Sequence, residues 1–271
     1  MHVMTKKDFI LLIPYYNNFN GLINSIKSVN YPNSKFEMLI IDDGSNPPLN
    51  LQKLKEFDEN INIHLIRLPE NQGVLKALNT GLLYLHNRND FKYIARLDCG
   101  DTCHADRFIK QVTFLNNNQE IGLLGTWCRF TDIISGKSYI YRTKTNHDEI
   151  LKEMHFKCSF IHPTMMFRKE IIDTVGYYPE GYPDAEDYAY FWIILNKYNG
   201  AILNEILVNI GVLRTNISSR NFKKQLISRK KIIRDMGYKA GLKIPGIFLL
   251  RLRQLFPFAF FQKIKFYYLK K

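Results

Sequence analysis

The chain has 271 residues, 46% of them hydrophobic, which suffices for one large core or two modest ones and excludes a disordered protein. Its net charge of +13 is unevenly placed: residues 1–213 hold 22 Lys/Arg against 24 Asp/Glu, whereas residues 214–271 hold 16 basic residues and one acid, Asp235. Four cysteines (Cys99, Cys103, Cys128, Cys158) exclude a disulfide scaffold, and with no secretory signal read before the first strand a reducing cytoplasm is expected. Cys99, Cys103 and His104 match no common zinc-ligand spacing.

Phe9 to Pro14 is a short continuous apolar run followed by Tyr15-Tyr16-Asn17-Asn18, the pattern of a central parallel strand and a ligand-facing loop. It is too short to span a bilayer. Leu22, Ile23, Ile26 and Val29 predict a helix, and Phe36 to Ile41 a second strand ending in Asp42-Asp43-Gly44-Ser45. A helix over Leu49–Asp58 and a strand over Ile61–Ile66 lead to Asn71-Gln72-Gly73. There a loop passes into a helix over Val74–His86, with Ala77, Leu78, Gly81, Leu82 and Leu85 on one side.

Tyr93 to Leu97 reads as a buried strand that stops in Asp98-Cys99-Gly100-Asp101. Open α/β sheets bind ligands beyond the carboxyl ends of their strands, so these acids would sit where a phosphate-bound cation could be held. The plainer alternative is that Asp98 ends the strand and Asp101 caps a helix beginning near His104 and running to Asn117. Four strand and helix units in alternation predict a doubly wound, mostly parallel sheet with helices on both faces, and right-handed crossovers put the loops at Tyr16, Asp43 and Asp98 on one edge.

Ile121–Phe130 and Tyr139–Arg142 predict a hairpin turning at Ser135-Gly136. Ser135-Gly136-Lys137-Ser138 lacks the upstream glycine of a phosphate loop, and no glycine triplet of the dinucleotide-binding type occurs. After His162-Pro163, acids at Asp184, Glu186 and Asp187 open an aromatic helix; the helix dipole alone could account for them, but they form a third carboxylate grouping beside those at Asp42 and Asp98. An apolar strand from Ile202 to Val212 precedes a basic segment over residues 222–234 and a mixture of Phe, Leu, Arg and Lys over residues 244–269. Interrupted by arginines and Pro257, this tail is expected to lie on a membrane surface and not to cross it; the alternative is that residues 222–271 form helices packing back on the catalytic domain with their charges merely solvated.

Five pieces in order give a resemblance: Ile13-Pro14-Tyr15-Tyr16-Asn17; Ile41 to Ser45; Asn71-Gln72-Gly73 with Ala77 to Gly81; Ala95 to Asp98 through Asp106-Arg107-Phe108; and His162-Pro163 with Ala185-Glu186-Asp187-Tyr188. From about Phe9 to Leu213 the chain resembles the family 2 glycosyltransferases, enzymes of the GT-A fold that transfer a sugar from a nucleotide donor. The resemblance implies a catalytic domain over 1–215, with a nucleotide-binding half at about 8–101 and an acceptor-side half at about 102–215, followed by a basic amphipathic helical tail over 216–271. It implies that Pro14, Tyr16, Asp43, Gly73 and Asp98 face the donor, Tyr16 packing on the nucleobase and Asp43 bonding the base or ribose. Asp187 matches the base of inverting members, and Glu186 beside it would help position the acceptor. Asp98 and Asp101 would hold Mn2+ or Mg2+, although Gly100 stands where the family's second metal-binding acid is usual.

The expected reaction is transfer from a nucleotide-diphosphate sugar, a UDP-sugar favoured, to a glycan or lipid-linked oligosaccharide acceptor with inversion. It would serve cell-surface polysaccharide synthesis at the cytoplasmic face of the membrane, to whose anionic surface residues 222–271 would bind. A nucleotidyltransferase would want a glycine-rich loop with a basic residue within Leu12–Asn18, which has neither. A non-catalytic protein on a decayed GT-A fold, gripping acidic lipid or nucleic acid, is opposed by the retained Asp43, Asp98, Glu186 and Asp187, and the tail's Phe and Leu content suits lipid better than nucleic acid.

Overall fold

The computed structural model describes residues 6–56, 62–212 and 221–268. In chain order the elements are β1 (Lys7–Tyr15), α1 (Phe19–Lys27), β2 (Phe36–Asp42), α2 (Leu51–Lys55), β3 (Ile63–Arg67), α3 (Val74–His86), β4 (Phe91–Arg96), β5 (Thr102–Cys103), α4 (Arg107–Asn117), β6 (Ile121–Asp132), β7 (Ser138–Tyr141), α5 (His147–Glu153), β8 (Met166–Arg168), α6 (Glu170–Val175), α7 (Glu186–Leu195), β9 (Asn199–Val212), α8 (Phe222–Met236), α9 (Ala240–Gln254) and α10 (Phe258–Tyr268). They form two compact units that interleave in sequence: Met1–Gly122 with His162–Tyr177, and Leu123–Ile161 with Tyr178–Lys271. This division differs from the sequence-based bounds at 101 and 215, and position 215 itself lies outside the described residues.

The first unit is built on β1, whose residues Phe9 to Ile13 are wholly buried, as a strand covered on both faces must be. β2 and β4 flank it in parallel, with Leu11 opposite both Met38 and Ala95. β3 extends the parallel set beyond β2, and β8 runs antiparallel along β4 with Met166 opposite Ala95. The doubly wound arrangement read from the alternation is therefore present. α3 lies close on β1, because Gly81 has no Cβ; one built there would come 2.5 Å from Leu12 Cδ1. Its buried Leu78, Leu82 and Leu85 each contribute about 1.5–3 kcal/mol of apolar burial.

Some boundaries differ from the sequence reading, for local reasons. α4 starts at Arg107 and not near His104, because α1 holds the preceding segment extended: Ser25 Oγ donates to the Asp101 carbonyl at 2.8 Å, and the Cys103 N–H donates to Ser28 Oγ at 2.9 Å. α2 covers only Leu51–Lys55, and the expected positions of Asp58 and Ile61 lie outside the described residues.

In the second unit β6 and β7 form the expected antiparallel hairpin, Cys128 facing Tyr141 and Phe130 facing Tyr139. Asp132 Oδ1 accepts the Ile134 and Ser135 N–H groups at 2.9 Å each and so shapes the turn. α7 is buried from Tyr188 to Trp192, on every side of the helix, and so lies inside the core. α8 packs on α7 and on α9, burying Leu226, Ile232 and Ile233. α9 passes so near the His155 carbonyl that a Cβ on Gly246 would come within 2.4 Å of its oxygen. Among the described residues no helix is long and apolar enough to cross a membrane.

Candidate active site

Strand order in the first unit is β3-β2-β1-β4, so the winding direction reverses between β1 and β4. Such a switch point leaves a crevice beyond the carboxyl ends of the strands, and the loops after β1, β2 and β4 all issue there. They are tied together. The Asn17 N–H donates to Ser45 Oγ at 3.0 Å, the Asn46 N–H to Asn17 Oδ1 at 2.9 Å, and the Gly100 N–H to Ser25 Oγ at 2.9 Å. Tyr16 leaves this frame at 49% exposure, after half-buried Pro14 and buried Tyr15.

The two neighbouring acids after β2 do different work. Asp42 is fully buried and accepts the Ser45 and Leu49 N–H groups at 2.9 and 3.1 Å, folding the loop back on the strand. Asp43, at 4% exposure, accepts the Gln72 N–H on Oδ1 at 2.8 Å and the Gly73 N–H and Asn71 Nδ2 on Oδ2 at 2.9 and 3.1 Å. The structure thus brings together Asp43 and Gly73, two of the expected donor residues, through a bond between them. Gly73 has φ +88 and Gly44 φ +68, values that L side chains rarely adopt, and a Cβ on Gly44 would lie 2.2 Å from the Glu70 carbonyl carbon.

At the end of β4, Asp98 is ion-paired through Oδ1 with the Arg96 guanidinium. Arg96, fully buried, also donates to the Leu12 carbonyl at 2.8 Å, and buried Arg107 donates to the Arg96 carbonyl at 2.7 Å and to Gln111 Oε1 at 3.0 Å. Gln111 Nε2 in turn donates to the Thr164 carbonyl at 2.9 Å. Sequence reasoning assigned no role to this network; the signal was present, since Arg96 interrupts an apolar run where a charge must find partners. Burial, and then the charge of Arg96, push the His162 imidazole well below its ordinary pKa, so it is neutral at pH 7. Burial, then Asp98 and Asp101, push the Cys99 thiol up to about 12, so it is a neutral thiol near pH 7.

Asp98 and Asp101 share one turn, the Asp101 N–H donating to the Asp98 carbonyl at 3.0 Å. The Asp98 side chain is 42% exposed, whereas Asp101 is buried at 7%. Among the described residues no group of three or more His, Cys, Asp or Glu could form a complete cage. One open carboxylate with a second behind it fits a hard cation that keeps water and takes its remaining ligands from substrate phosphates. Gly100, at φ +104, holds a backbone conformation that aspartate would adopt only with strain.

Glu186 and Asp187 lie in the second unit, at the first turn of α7, both partly buried. Burial, and then the charge of Asp187, push the Glu186 carboxyl up to about 7, with a smaller contribution from Asp184. Asp187 Oδ1 accepts the Tyr188 N–H at 2.7 Å. Two adjacent carboxyl groups, one of them titrating near neutrality, can accept and hold a proton from a hydroxyl.

The family model for Glycosyl transferase family 2 matches residues 10–176. An uncharacterised glycosyltransferase of Haemophilus influenzae is 28% identical over 247 residues, covering 87% of this chain and 88% of its own. A UDP-Gal:alpha-D-GlcNAc-diphosphoundecaprenol beta-1,3-galactosyltransferase of Escherichia coli is also 28% identical, with 72% of this chain and 70% of its own covered. Among solved structures, the mannosyltransferase PcManGT of Pyrobaculum calidifontis, in complex with GDP-Man and Mn2+, superposes with a TM-score of 0.65 at 17% identity, covering 92% of this chain and 69% of its own, a likeness of fold alone. The crevice loops of β1, β2 and β4 all fall within the matched residues, and the chain belongs to glycosyl transferase family 2.

Proposed function

We propose that this glycosyltransferase moves a sugar from a nucleotide-diphosphate donor, a UDP-sugar favoured, to a hydroxyl of a glycan or lipid-linked oligosaccharide, inverting the anomeric centre. The observation that carries the reading is the Glu186–Asp187 pair, with Glu186 pushed up to about 7 at the start of a buried helix. Asp187 takes the acceptor proton while the acceptor oxygen forms its bond to the anomeric carbon; the bond from that carbon to the diphosphate breaks, and the electron pair leaves with the diphosphate. Glu186, protonated in part of the population near pH 7, holds the acceptor hydroxyl by hydrogen bonding. Tyr16 offers its exposed ring to the nucleobase, and Asp43 shapes the base pocket through the Asn71–Gly73 loop it ties down. Asp98, with Asp101 behind it, would hold a divalent cation, which when bound supplies positive charge to the departing diphosphate. Support for the donor class comes from the relatives, one named for UDP-Gal and one solved with GDP-Man and Mn2+.

The same reading places the enzyme on an anionic membrane surface at the cytoplasmic face, in cell-surface polysaccharide synthesis. Ile244, Phe248, Leu252 and Leu255 form one exposed stripe at spacings of four, four and three, on a tail holding 16 basic residues and one acid. Incubating the full chain with a panel of UDP- and GDP-sugars in Mn2+, Mg2+ or chelator tests the reading. Release of UDP from one donor, stimulated by a metal, is expected; no turnover of any nucleotide sugar in the presence of glycan or polyprenyl-diphosphate acceptors would overturn it.

A further inference from the structure

The first turn of α7 carries the acid pair, yet its N-cap residue is Ala185, which offers no side-chain bond to the helix start. The turn leading into it is held from outside. Asp184 sits at φ +61, a left-handed conformation that few non-glycine residues adopt and that Asp and Asn tolerate best. Asn221 Nδ2 donates to Asp184 Oδ1 at 2.8 Å, Gln225 Nε2 to the Asp184 carbonyl at 3.0 Å, and Ser228 Oγ to the Pro183 carbonyl at 2.8 Å. Lys231 adds a bond to the Gly181 carbonyl at 3.3 Å and packs over the Tyr182 ring at 4.8 Å. Positions 221, 225, 228 and 232 share one helical face, and Ile232 on that face is fully buried, so the donors are presented by a packed, rigid helix.

We propose that α8 is a clamp that fixes the turn before the acid pair, with Asn221, Gln225 and Ser228 as positioning residues for Glu186 and Asp187. All three, like Glu186 and Asp187 themselves, lie C-terminal to the residues matched by the family model. The three donors satisfy both backbone carbonyls and the one carboxylate oxygen through which Asp184 could otherwise relax, and the angle at which α7 begins follows from that turn. Holding Asp184 there also keeps its negative charge beside Glu186, where it adds to the upward push on that carboxyl. Arg229 on the same helix lies over the Tyr188 ring at 5.0 Å, one residue beyond Asp187, so α8 grips the segment from both sides of the pair.

The inference rests on the catalytic reading of the acid pair, and the test separates the two. In the full-length protein Asn221→Ala, Ser228→Ala and Ser228→Thr are compared with wild type by nucleotide-sugar hydrolysis, by thermal melting and by carboxyl-carbon NMR titration of Glu186, which needs no substrate. The clamp predicts that each alanine variant lowers kcat about tenfold with donor KM within about twofold, and moves the Glu186 midpoint down by about half a pH unit. Ser228→Thr, which keeps the hydroxyl, should restore both. An unmoved Glu186 midpoint in both alanine variants overturns the clamp, whatever happens to melting. Asp187→Asn, run alongside, tests the reading itself: wild-type hydrolysis in that variant sinks the catalytic assignment, while the NMR titration still decides whether α8 sets the turn.

Discussion

Asp43→Asn is an isosteric change that isolates what the Asp43 carboxylate does. Three N–H donors converge on its two oxygens in a site at 4% exposure, so solvent cannot replace a lost partner. With the new amide oxygen facing the Gln72 N–H, the amide nitrogen faces the Gly73 N–H, donor against donor; Asn71 can rotate its own amide to accept, but a backbone N–H cannot. The Gly73 bond to a charged acceptor is lost, about 1.5–3 kcal/mol, and the Gln72 bond falls from charged to neutral, about 1 kcal/mol more. A total near 3 kcal/mol is less than the 5–15 kcal/mol of a whole domain, so the loop opens locally before the protein unfolds. Amide hydrogen exchange without ligand should therefore speed up about a hundredfold at Gln72 and Gly73, with little change in the amides of β1. UDP affinity, read by calorimetry, should fall along with it. Unchanged exchange with a large loss of UDP affinity would refute the reasoning and return Asp43 to a direct contact with base or ribose.

Glu186 binds its proton more tightly folded than unfolded, so its contribution to stability is complete below its ordinary value of 4.5 and is lost as pH rises through about 7. Glu186→Gln should accordingly be more stable than wild type at pH 8, by up to about 3 kcal/mol, while turning over more slowly; a stability difference between the variant and wild type that is the same at pH 5 and pH 8 would contradict this. Gly100→Asp, which restores the family's usual acid, should cost about 1–2 kcal/mol of stability and fail to raise metal affinity, because φ +104 does not suit aspartate; a gain in both, measured by melting and Mn2+ titration, would show that the loop re-forms freely. In the tail, Phe248→Ser with Leu255→Ser should abolish flotation with anionic vesicles at unchanged melting temperature, since both side chains are exposed, whereas Leu250→Ser at a fully buried position should cost about 2–5 kcal/mol. Vesicle binding that survives the double change would remove the exposed stripe from the account.

What the sequence made legible was whatever depends on one element at a time. The run Phe9–Ile13 announces a strand buried on both faces, and its parallel neighbours at Phe36 and Phe91 follow from the alternation with helices. The acids at Asp43, Asp98, Glu186 and Asp187 stood out because each lies where an apolar run meets a loop or a helix start. What escaped depends on contacts distant in sequence. The start of α4 is displaced by Ser25 of α1 and by Ser28 just after it, about 75 residues earlier, and no periodicity within residues 101–107 carries that information. That Asp43 ties down the Asn71–Gly73 loop shows only once the donors at Asn71, Gln72 and Gly73 are placed on it. Residues 222–234 read as basic with apolar residues interleaved, yet Asn221, Gln225 and Ser228 make a face that bonds the loop before α7, a pairing visible only once both are folded.

The central claim, that Asp187 removes a proton from the acceptor, is tested most directly by comparing Asp187→Asn with wild type for donor affinity and turnover on the same nucleotide sugar. The account predicts a donor Kd within about twofold and turnover lower by about a hundredfold or more, because the amide keeps the shape but cannot take the proton. Weakened donor binding with unchanged turnover would contradict it and move Asp187 to the donor side of the reaction.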